Sequence, residues 1–197
     1  MVYSISYRPQ PDSWPHAEQI GGDTDEMPLE DQSPDGGIGI HTSRYSSGRR
    51  LRVENAPTQV RWLSRRKLQD YESTRMANVS LRLRSLIEEI EPRIHQFIPV
   101  EFVAKDGSHL ADRWFWQVGN RLDSVHRGKT NWQLPRSVWR SPVDEEPRLV
   151  FDLAKVGNAK FWHDKHIILG TNVTDETKAR LQAEGMTGMV YEHYEQA

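Results

Sequence analysis

Residues 78–103 read NVSLRLRSLIEEIEPRIHQFIPVEFV and contain a helix start, a helix and a strand in direct succession. Ser80 follows β-branched Val79 and precedes a run of good helix formers, so its hydroxyl can accept a hydrogen bond from an otherwise unpaired backbone N–H. Apolar side chains then recur at three- and four-residue spacing, which predicts an amphipathic helix over about 81–91. These side chains are Leu83, Leu86, Ile87, Ile90 and Ile94. The apolar segment 97–103 predicts the strand that follows.

A second stretch, near the C-terminal end of the sequence, repeats this order. Thr174 holds the capping position before a run of helix formers, which predicts a helix over about 175–183. Gly185 stands where a left-handed backbone commonly ends a helix, and the apolar residues 189–191 predict a strand after it. The sequence therefore uses a unit of cap, helix and strand twice.

Further strands are predicted from short apolar or alternating runs. They cover residues 2–7, 113–118, 122–125, 148–153, 160–162 and 167–169. Asp106-Gly107 predicts a turn just before an aromatic strand, on which Trp114, Phe115 and Trp116 must alternate faces. We expect at least two of these three rings in the core. Strands and helices mix without a strict βαβ alternation, which predicts an α+β fold with a mixed or antiparallel sheet and a few amphipathic helices.

At 197 residues the chain is long enough for a proper core, and we expect one structural domain overall. Residues 1–59 are predicted as a first strand plus an irregular wrapping segment rich in Pro, Gly, Asp and Ser, and residues 60–197 as the α+β core. The absence of cysteine excludes disulfides and thiolate catalysis, and it fits the bacterial cytosol. No secretory signal and no run of about 20 apolar residues is visible, so we expect a cytoplasmic protein without membrane contact.

Charge is unevenly distributed along the chain, although the net charge is only −2. Residues 12–35 carry acidic side chains and no Lys or Arg, whereas residues 44–84 are rich in Arg. The two segments are able to neutralise each other on one surface. The acidic segment is also our candidate for contact with a partner. The candidate residues are Asp23, Asp25, Glu26, Glu30, Asp31 and Asp35.

Clusters of titratable residues form no catalytic motif. Residues 163–166, His-Asp-Lys-His, bring two imidazoles and a carboxylate together, but their spacing does not fit one helical face, so a solvated strand end or turn is favoured over a metal site. Ser124 and His126 invite a hydrolase hypothesis, yet no Gly-x-Ser-x-Gly sequence presents a nucleophile. The glycines at 36–39 lack the Lys-Ser/Thr ending of a phosphate loop and predict a flexible turn. We predict no catalytic residues, no metal and no cofactor.

Several short motifs follow one another between about residues 60 and 194. They are Asp70-Tyr71, Val79-Ser80 with the helix to Glu88, Phe97-Ile98-Pro99-Val100, Trp114 to Val118, Asp123-Ser124-Val125, Val150 to Leu153, Ile167 to Leu169, Val173-Thr174, Lys178 to Ala183 and Gly185 to Met189. Their order and spacing resemble a family of bacterial immunity proteins known as the Myxococcus or MXAN type, formerly a domain of unknown function. That family shows an aspartate-led segment, a Val-Ser cap, a Phe-x-Pro-Val strand and a closing Gly-x-Thr-Gly.

The resemblance implies an α+β fold and an inhibitor that acts by binding, encoded beside a polymorphic toxin and without known catalytic residues. We therefore expect a cognate protein toxin as the partner, met in the cytoplasm, where a nuclease or another effector acting on the cytosol is the expected class. Direct nucleic-acid binding is not expected. If the toxin is a nuclease with a basic cleft, the acidic residues named above would occupy its phosphate track.

Two other functional classes stay open from the sequence. A nucleic-acid-binding regulator would need its arginines on one exposed face. These arginines are Arg49, Arg50, Arg52, Arg61, Arg65 and Arg66. A small enzyme would need a pocket in which His163 and His166 lie near Asp152 or Asp164.

Overall fold

The computed structural model describes residues 1–6, 17–37, 45, 47–135 and 137–197. Four features of the sequence lie outside these described residues. They are Tyr7 at the end of the predicted first strand, Asp12 at the start of the acidic segment, Ile38-Gly39 in the glycine-rich turn, and Arg44 at the start of the basic segment.

Strands dominate the described residues, with three α-helices among them. In chain order the elements are β1 (Val2–Ser6), β2 (Ala17–Ile20), a 3₁₀ turn (Thr24–Glu26), β3 (Gln59–Trp62), β4 (Tyr71–Thr74), β5 (Met76–Val79), α1 (Leu81–Ile90), β6 (Gln96–Val103) and β7 (His109–Gln117). They continue with β8 (Arg121–Leu122), β9 (Val150–Phe151), α2 (Leu153–Val156), β10 (Phe161–Asp164), β11 (Thr171–Thr174), α3 (Asp175–Ala183) and β12 (Val190–Gln196). The predicted α+β class is confirmed.

The strands form two six-stranded sheets. The first sheet has the spatial order β2-β3-β6-β7-β5-β4, and the second has the order β8-β10-β11-β1-β12-β9. Both sheets are mixed, because β3 runs parallel to β6 in the first, and β8 and β9 run parallel to β10 and β12 in the second. The segment 1–59 contributes strands to both sheets, β1 to the second and β2 to the first.

The two sheets repeat one arrangement of five strands and a helix. In the first sheet, β5 and β6 flank β7, both antiparallel to it, and α1 connects them. In the second sheet, β11 and β12 flank β1 in the same way, and α3 connects them. Each unit also has an antiparallel strand beyond one flank, β4 or β10, and a parallel strand beyond the other, β3 or β9. The unit of cap, helix and strand seen in the sequence is thus part of a larger structural repeat.

Both predicted helices are confirmed, together with their caps. The Ser80 hydroxyl accepts a hydrogen bond from the Leu83 N–H at 3.2 Å, and Thr174 Oγ1 accepts one from the Thr177 N–H at 3.2 Å. Gly185 adopts φ +64° after α3, and its N–H and that of the next residue bond to carbonyls inside the last helical turn. This is the paired hydrogen bonding of a glycine-terminated helix, so neighbouring residues in the sequence supply the caps at both ends of α3.

Three hydrophobic clusters fill the structure. The central cluster joins both sheets and both long helices through Tyr3, Ile5, Val79, Leu83, Ile87, Trp116, Phe161, Val173 and Leu181. A second cluster lies on the other face of the first sheet, where Met27, Leu29 and Leu51 pack with Val60, Phe102 and Phe115. A third lies on the other face of the second sheet, where Trp139 and Leu149 pack with Val2, Phe151 and Trp162. The irregular segments therefore cover the outer faces of the two sheets.

The aromatic strand divides its rings between two clusters, as the alternation predicts. Trp116 is 2% exposed and belongs to the central cluster, whereas Phe115 is fully buried in the second cluster. Trp114 packs against the central cluster from a partly buried position. Gly107 provides the predicted turn before this strand with φ +86°.

Three strand predictions need correction. The predicted strand 148–153 is short because Asp152 accepts a hydrogen bond from the Ala154 N–H and caps α2. The predicted strand 122–125 ends at Leu122, because the Ser124 N–H bonds to the Asp164 carboxylate at 2.7 Å and not to a neighbouring strand. The prediction of a strand at 167–169 is wrong, since these residues form a loop that leaves Ile168 57% exposed, and β11 begins only after it.

Within the described parts of the chain, no helix combines the length and the apolar character that crossing a bilayer requires.

Candidate partner-binding site

A single carboxylate joins three of the motifs that carry the family resemblance, at Asp70, Ser80 and Thr187. Asp70 Oδ1 accepts a hydrogen bond from the Ser80 hydroxyl at 2.8 Å, and Oδ2 accepts two from Thr187, from its N–H at 3.0 Å and its hydroxyl at 2.9 Å. The Thr187 carbonyl in turn accepts the Tyr71 N–H at 3.0 Å. The start of β4, the cap of α1 and the loop before β12 are thereby tied together. We call this cluster of Asp70, Ser80 and Thr187 the Asp70 junction.

The Asp70 junction is built for structure. Burial by itself would raise the pKa of Asp70, but the hydrogen bonds from Ser80 and Thr187 outweigh it and hold the pKa below its ordinary value. Next to it, Gly188 has φ +88°, and a Cβ there would lie 2.1 Å from the Tyr71 carbonyl oxygen. The glycine is needed because the backbone passes too close for any side chain. These motifs therefore hold separate parts of the fold together.

A second buried carboxylate belongs to Glu91. The sequence does not point to it, because a Glu at the end of a predicted helix is ordinary. Glu91 accepts hydrogen bonds from His95 Nε2 at 3.0 Å, from the Asn120 amide at 2.8 Å and from two backbone N–H groups at the start of β10, each at 3.2 Å. His95 Nδ1 accepts the Gly119 N–H, so its ring proton lies on Nε2. Burial would raise the pKa of Glu91, and these hydrogen bonds keep it below its ordinary value. The only sequence signal is the four-residue spacing of Glu91 and His95.

The residues around His163 and Ser124 form a structural network. Asp164 accepts hydrogen bonds from the Ser124 N–H at 2.7 Å, the Ser124 hydroxyl at 2.8 Å and the His166 N–H at 2.8 Å. Burial lowers the pKa of His163 to about 4, which keeps its ring neutral. Because Ser124 donates its proton to a carboxylate and accepts from the Trp162 indole, no imidazole activates it as a nucleophile. Residues 163–166 do lie at the end of β10 and in the bend after it, but the expectation that they are solvated is wrong, since His163, Asp164 and His166 are all buried.

Metal-binding chemistry has no visible site either. In the part of the chain that the structure describes, no group of three or more His, Asp or Glu side chains could hold an ion. His166 uses Nδ1 to contact the Ser137 carbonyl at 3.0 Å, so this ring nitrogen already has a protein partner.

The acidic candidate residues lie on the layer that covers the first sheet, and arginines accompany them. Ion pairs join Arg75 to Asp23 at 3.3 Å and to Asp25 at 2.7 Å, Arg50 to Glu30 at 3.7 Å, and Arg49 to Asp31 at 3.7 Å and to Asp35 at 3.2 Å. Glu26 is exposed on the 3₁₀ turn. The expected mutual neutralisation of the acidic and basic segments is confirmed.

Asp35 differs from the other five acidic residues. Its side chain is 23% exposed, and the Arg121 guanidinium bonds both carboxylate oxygens, at 2.7 and 3.2 Å. Hydrogen bonds from Arg121 hold the pKa of Asp35 well below its usual range. Asp23, Asp25, Glu30 and Asp31 keep 39 to 68% of their side chains exposed and can still meet a partner.

The arginine set required for nucleic-acid binding is dispersed among carboxylates. Arg49 and Arg50 pair as described above, Arg61 pairs with Glu18 at 2.6 Å, and Arg66 pairs with the fully buried Glu72. The fold thus commits most of these arginines to intramolecular partners.

Comparison with known protein families identifies the chain. The model of a family described as "Immunity protein family (Imm11)" matches residues 7–196, which is almost the whole chain. No curated protein matches the chain at a significant level.

Proposed function

The chain belongs to the immunity protein family Imm11, and on this premise we propose that it binds a cognate bacterial toxin and neutralises it by covering the toxin's active site, without catalysis of its own. The family match over residues 7–196 is the observation that carries this proposal. The encounter takes place in the cytoplasm, in keeping with a chain that contains no cysteine. The toxin then attacks a cytosolic target such as nucleic acid, nucleotides or a protein.

The polar clusters of the fold support a binding role. The carboxylate oxygens of Asp70 and Glu91 accept hydrogen bonds from groups within the protein, and the Ser124 hydroxyl donates to Asp164. An enzyme would need such groups in a pocket with free atoms directed at a substrate. Here their geometry holds loops and helix ends in place.

We assign five carboxylates of the acidic segment, Asp23, Asp25, Glu26, Glu30 and Asp31, to the toxin contact. Their ion pairs with Arg50 and Arg75 are exposed, and an exposed ion pair typically contributes only about 0–1 kcal/mol. A cationic group of the toxin can therefore replace these arginines at little cost. If the toxin is a nuclease, this segment lies along the basic track that normally holds phosphates.

The proposed function is tested by co-expression with a toxin domain from the neighbouring genes, where the family resemblance implies that the cognate toxin is encoded. The expected result is restored growth of a toxin-expressing host, together with a stable complex of the two purified proteins. Growth arrest in the presence of the soluble, folded protein, with no complex between the purified partners, would refute the proposed function.

The role of the acidic segment is tested by changing these five carboxylates to Asn or Gln. We expect association with the toxin to slow at least about tenfold at low salt, and its salt dependence to weaken, because the charges steer the encounter. A matched control neutralises five exposed carboxylates elsewhere. They are Asp144, Glu145, Asp175, Glu176 and Glu192. Equal association rates for the two variants would exclude the acidic segment from the contact.

A further inference from the structure

An open groove of about 730 Å³ lies beyond the C-terminal ends of β3 and β6 in the first sheet. One wall is the segment 64–68 that follows β3, and the other is the hairpin between β6 and β7. The proposed function above makes no use of this groove.

Cations line the rim of this groove. Arg65, Lys67 and Lys105 are exposed, and no ion pair joins any of them to another described residue. Asp106 is the one carboxylate on the rim. It accepts hydrogen bonds from the N–H and the hydroxyl of Ser108 at 3.0 and 2.7 Å, which hold its side chain against the turn between β6 and β7. The three unpaired cations therefore outnumber the single carboxylate, and the rim carries an excess of positive charge.

The floor of the groove is apolar. Leu110 is 43% exposed, and Leu68 is partly buried against the second hydrophobic cluster. Trp62 closes the floor from below, with only 4% of its surface exposed. An apolar side chain of a partner could cover Leu68 and Leu110 and remove them from water.

The tryptophan argues against a nucleic acid in this groove. The Arg66 guanidinium lies 4.7 Å from the centre of the Trp62 ring and covers its face, while the indole N–H donates to the Arg66 carbonyl at 3.1 Å. Arg66 is itself held in place by the buried Glu72. Binding of single strands relies on aromatic faces that are free to stack on bases, and this face is occupied. The cations and apolar floor fit a protein segment better.

We infer that this groove docks an acidic segment of the cognate toxin, with its carboxylates facing Arg65, Lys67 and Lys105 and an apolar side chain against Leu68 and Leu110. The inference rests on the proposed function and adds the chemistry of a second contact. Charge complementarity selects the occupant, because the groove offers unpaired cations around an apolar floor.

The groove and the acidic segment can contact one toxin molecule. The acidic segment packs near the start of β3, where the Asp23 N–H bonds to the Asn55 carbonyl, and the groove begins at the end of β3. Four strand residues span roughly 13 Å, and a specific interface commonly covers about 800 Å² on each partner. Opposite charges at the two ends of one surface would fix the orientation of the bound toxin.

The inference is tested with the full chain in complex with the neighbouring toxin. The test variant combines Arg65→Glu, Lys67→Glu and Lys105→Glu, and the control variant combines Arg93→Glu, Lys129→Glu and Arg140→Glu, which reverses three exposed cations elsewhere. We expect the test variant to bind at least about tenfold more weakly than the control, since like charges would then face each other. Both variants should retain the circular dichroism spectrum of the native chain.

A second variant and a mapping experiment separate the possible outcomes. Leu110→Ala should weaken binding while leaving its salt dependence unchanged, and hydrogen exchange should slow at residues 64–68 and 104–111 in the complex. If the unaltered chain binds the toxin, equal affinities for test and control variants with no slowed exchange in the groove would overturn the inference while the proposed function stands. Toxin affinity that survives the reversal, combined with loss of affinity for a single-stranded oligonucleotide, would overturn it in favour of nucleic acid.

Discussion

Removal of the carboxylate at the Asp70 junction should destabilise the whole protein. Asp70→Ala deletes the acceptor of three hydrogen bonds, one from Ser80 and two from Thr187, and so loosens the cap of α1 and the entry to β12 together. A hydrogen bond to a charged group contributes about 1.5–3 kcal/mol, but the Asp70 side chain is 14% exposed, so water can reach some of the freed donors. We expect the free energy of unfolding to fall by about 2–4 kcal/mol.

Chemical denaturation followed by tryptophan fluorescence measures this loss, and a thermal scan should show a melting temperature lower by about 5–15 °C. Asp106→Ala is the matched control, because Asp106 also bonds a nearby hydroxyl and N–H but lies in an exposed turn. It should cost less than about 1 kcal/mol. If Asp70→Ala and Asp106→Ala lower the free energy of unfolding equally, the Asp70 junction does not hold the two halves of the fold together.

The same junction has a pH signature. The pKa of Asp70 is lower in the folded chain than in the unfolded chain, so the unfolded state binds the proton more readily. Its contribution to stability is therefore present above the unfolded pKa of about 4 and is lost as the pH falls through the folded value. The difference in unfolding free energy between the unaltered chain and Asp70→Ala should shrink in acid.

Three further changes test the packing and the buried histidine. Gly188→Ala should lower the free energy of unfolding by at least about 2 kcal/mol, because its Cβ would collide with a backbone carbonyl. Gly107→Ala is the control: it has a similar positive φ but open space around it, and should cost about 1 kcal/mol. Denaturation midpoints of the two variants measure the difference. Phe115→Ala should cost about 3–5 kcal/mol, against less than about 0.5 kcal/mol for Val143→Ala on the surface, by the same measurement. In the unaltered chain, stability should fall as the pH drops from about 6.5 to 4, because only the unfolded chain protonates the His163 ring in this range. His163→Gln should make this fall shallower. An unchanged slope of unfolding free energy against pH would show that another group is responsible.

Local signals predicted the helices better than the sheets. Residues 81–91 and 175–183 were predicted as helices, and the structure has Leu81–Ile90 and Asp175–Ala183, because a capping hydroxyl and a terminal glycine act within a few residues of the helix end. The apolar run at 167–169 gave the wrong element, since an apolar run reports burial, and Ile167 is buried within a loop. Strand pairing was out of reach, because β1 pairs with strands more than a hundred and sixty residues away.

The candidate site shows the same limit. The sequence shows the acidic and basic segments as composition and predicts that they neutralise each other, but not which residues pair. Which acid meets which arginine depends on where β4 and β5 turn, since Arg75 at that turn reaches both Asp23 and Asp25. Glu91 and the Asp70 junction were invisible as clusters, because their partners come from distant parts of the chain.

By itself, the sequence determined the family resemblance, the two capped helices and the alternation of rings on β7, because capping and periodicity act between neighbours along the chain. Tertiary structure alone decided that β1 lies between β11 and β12, and which charges remain available. Arg65 and Arg66 are adjacent and chemically the same, yet Arg66 is bound to the buried Glu72 while Arg65 faces the open groove. The physical reason is that the interaction between two charges depends on the distance between them. The tertiary fold sets that distance, and the order of residues along the chain does not.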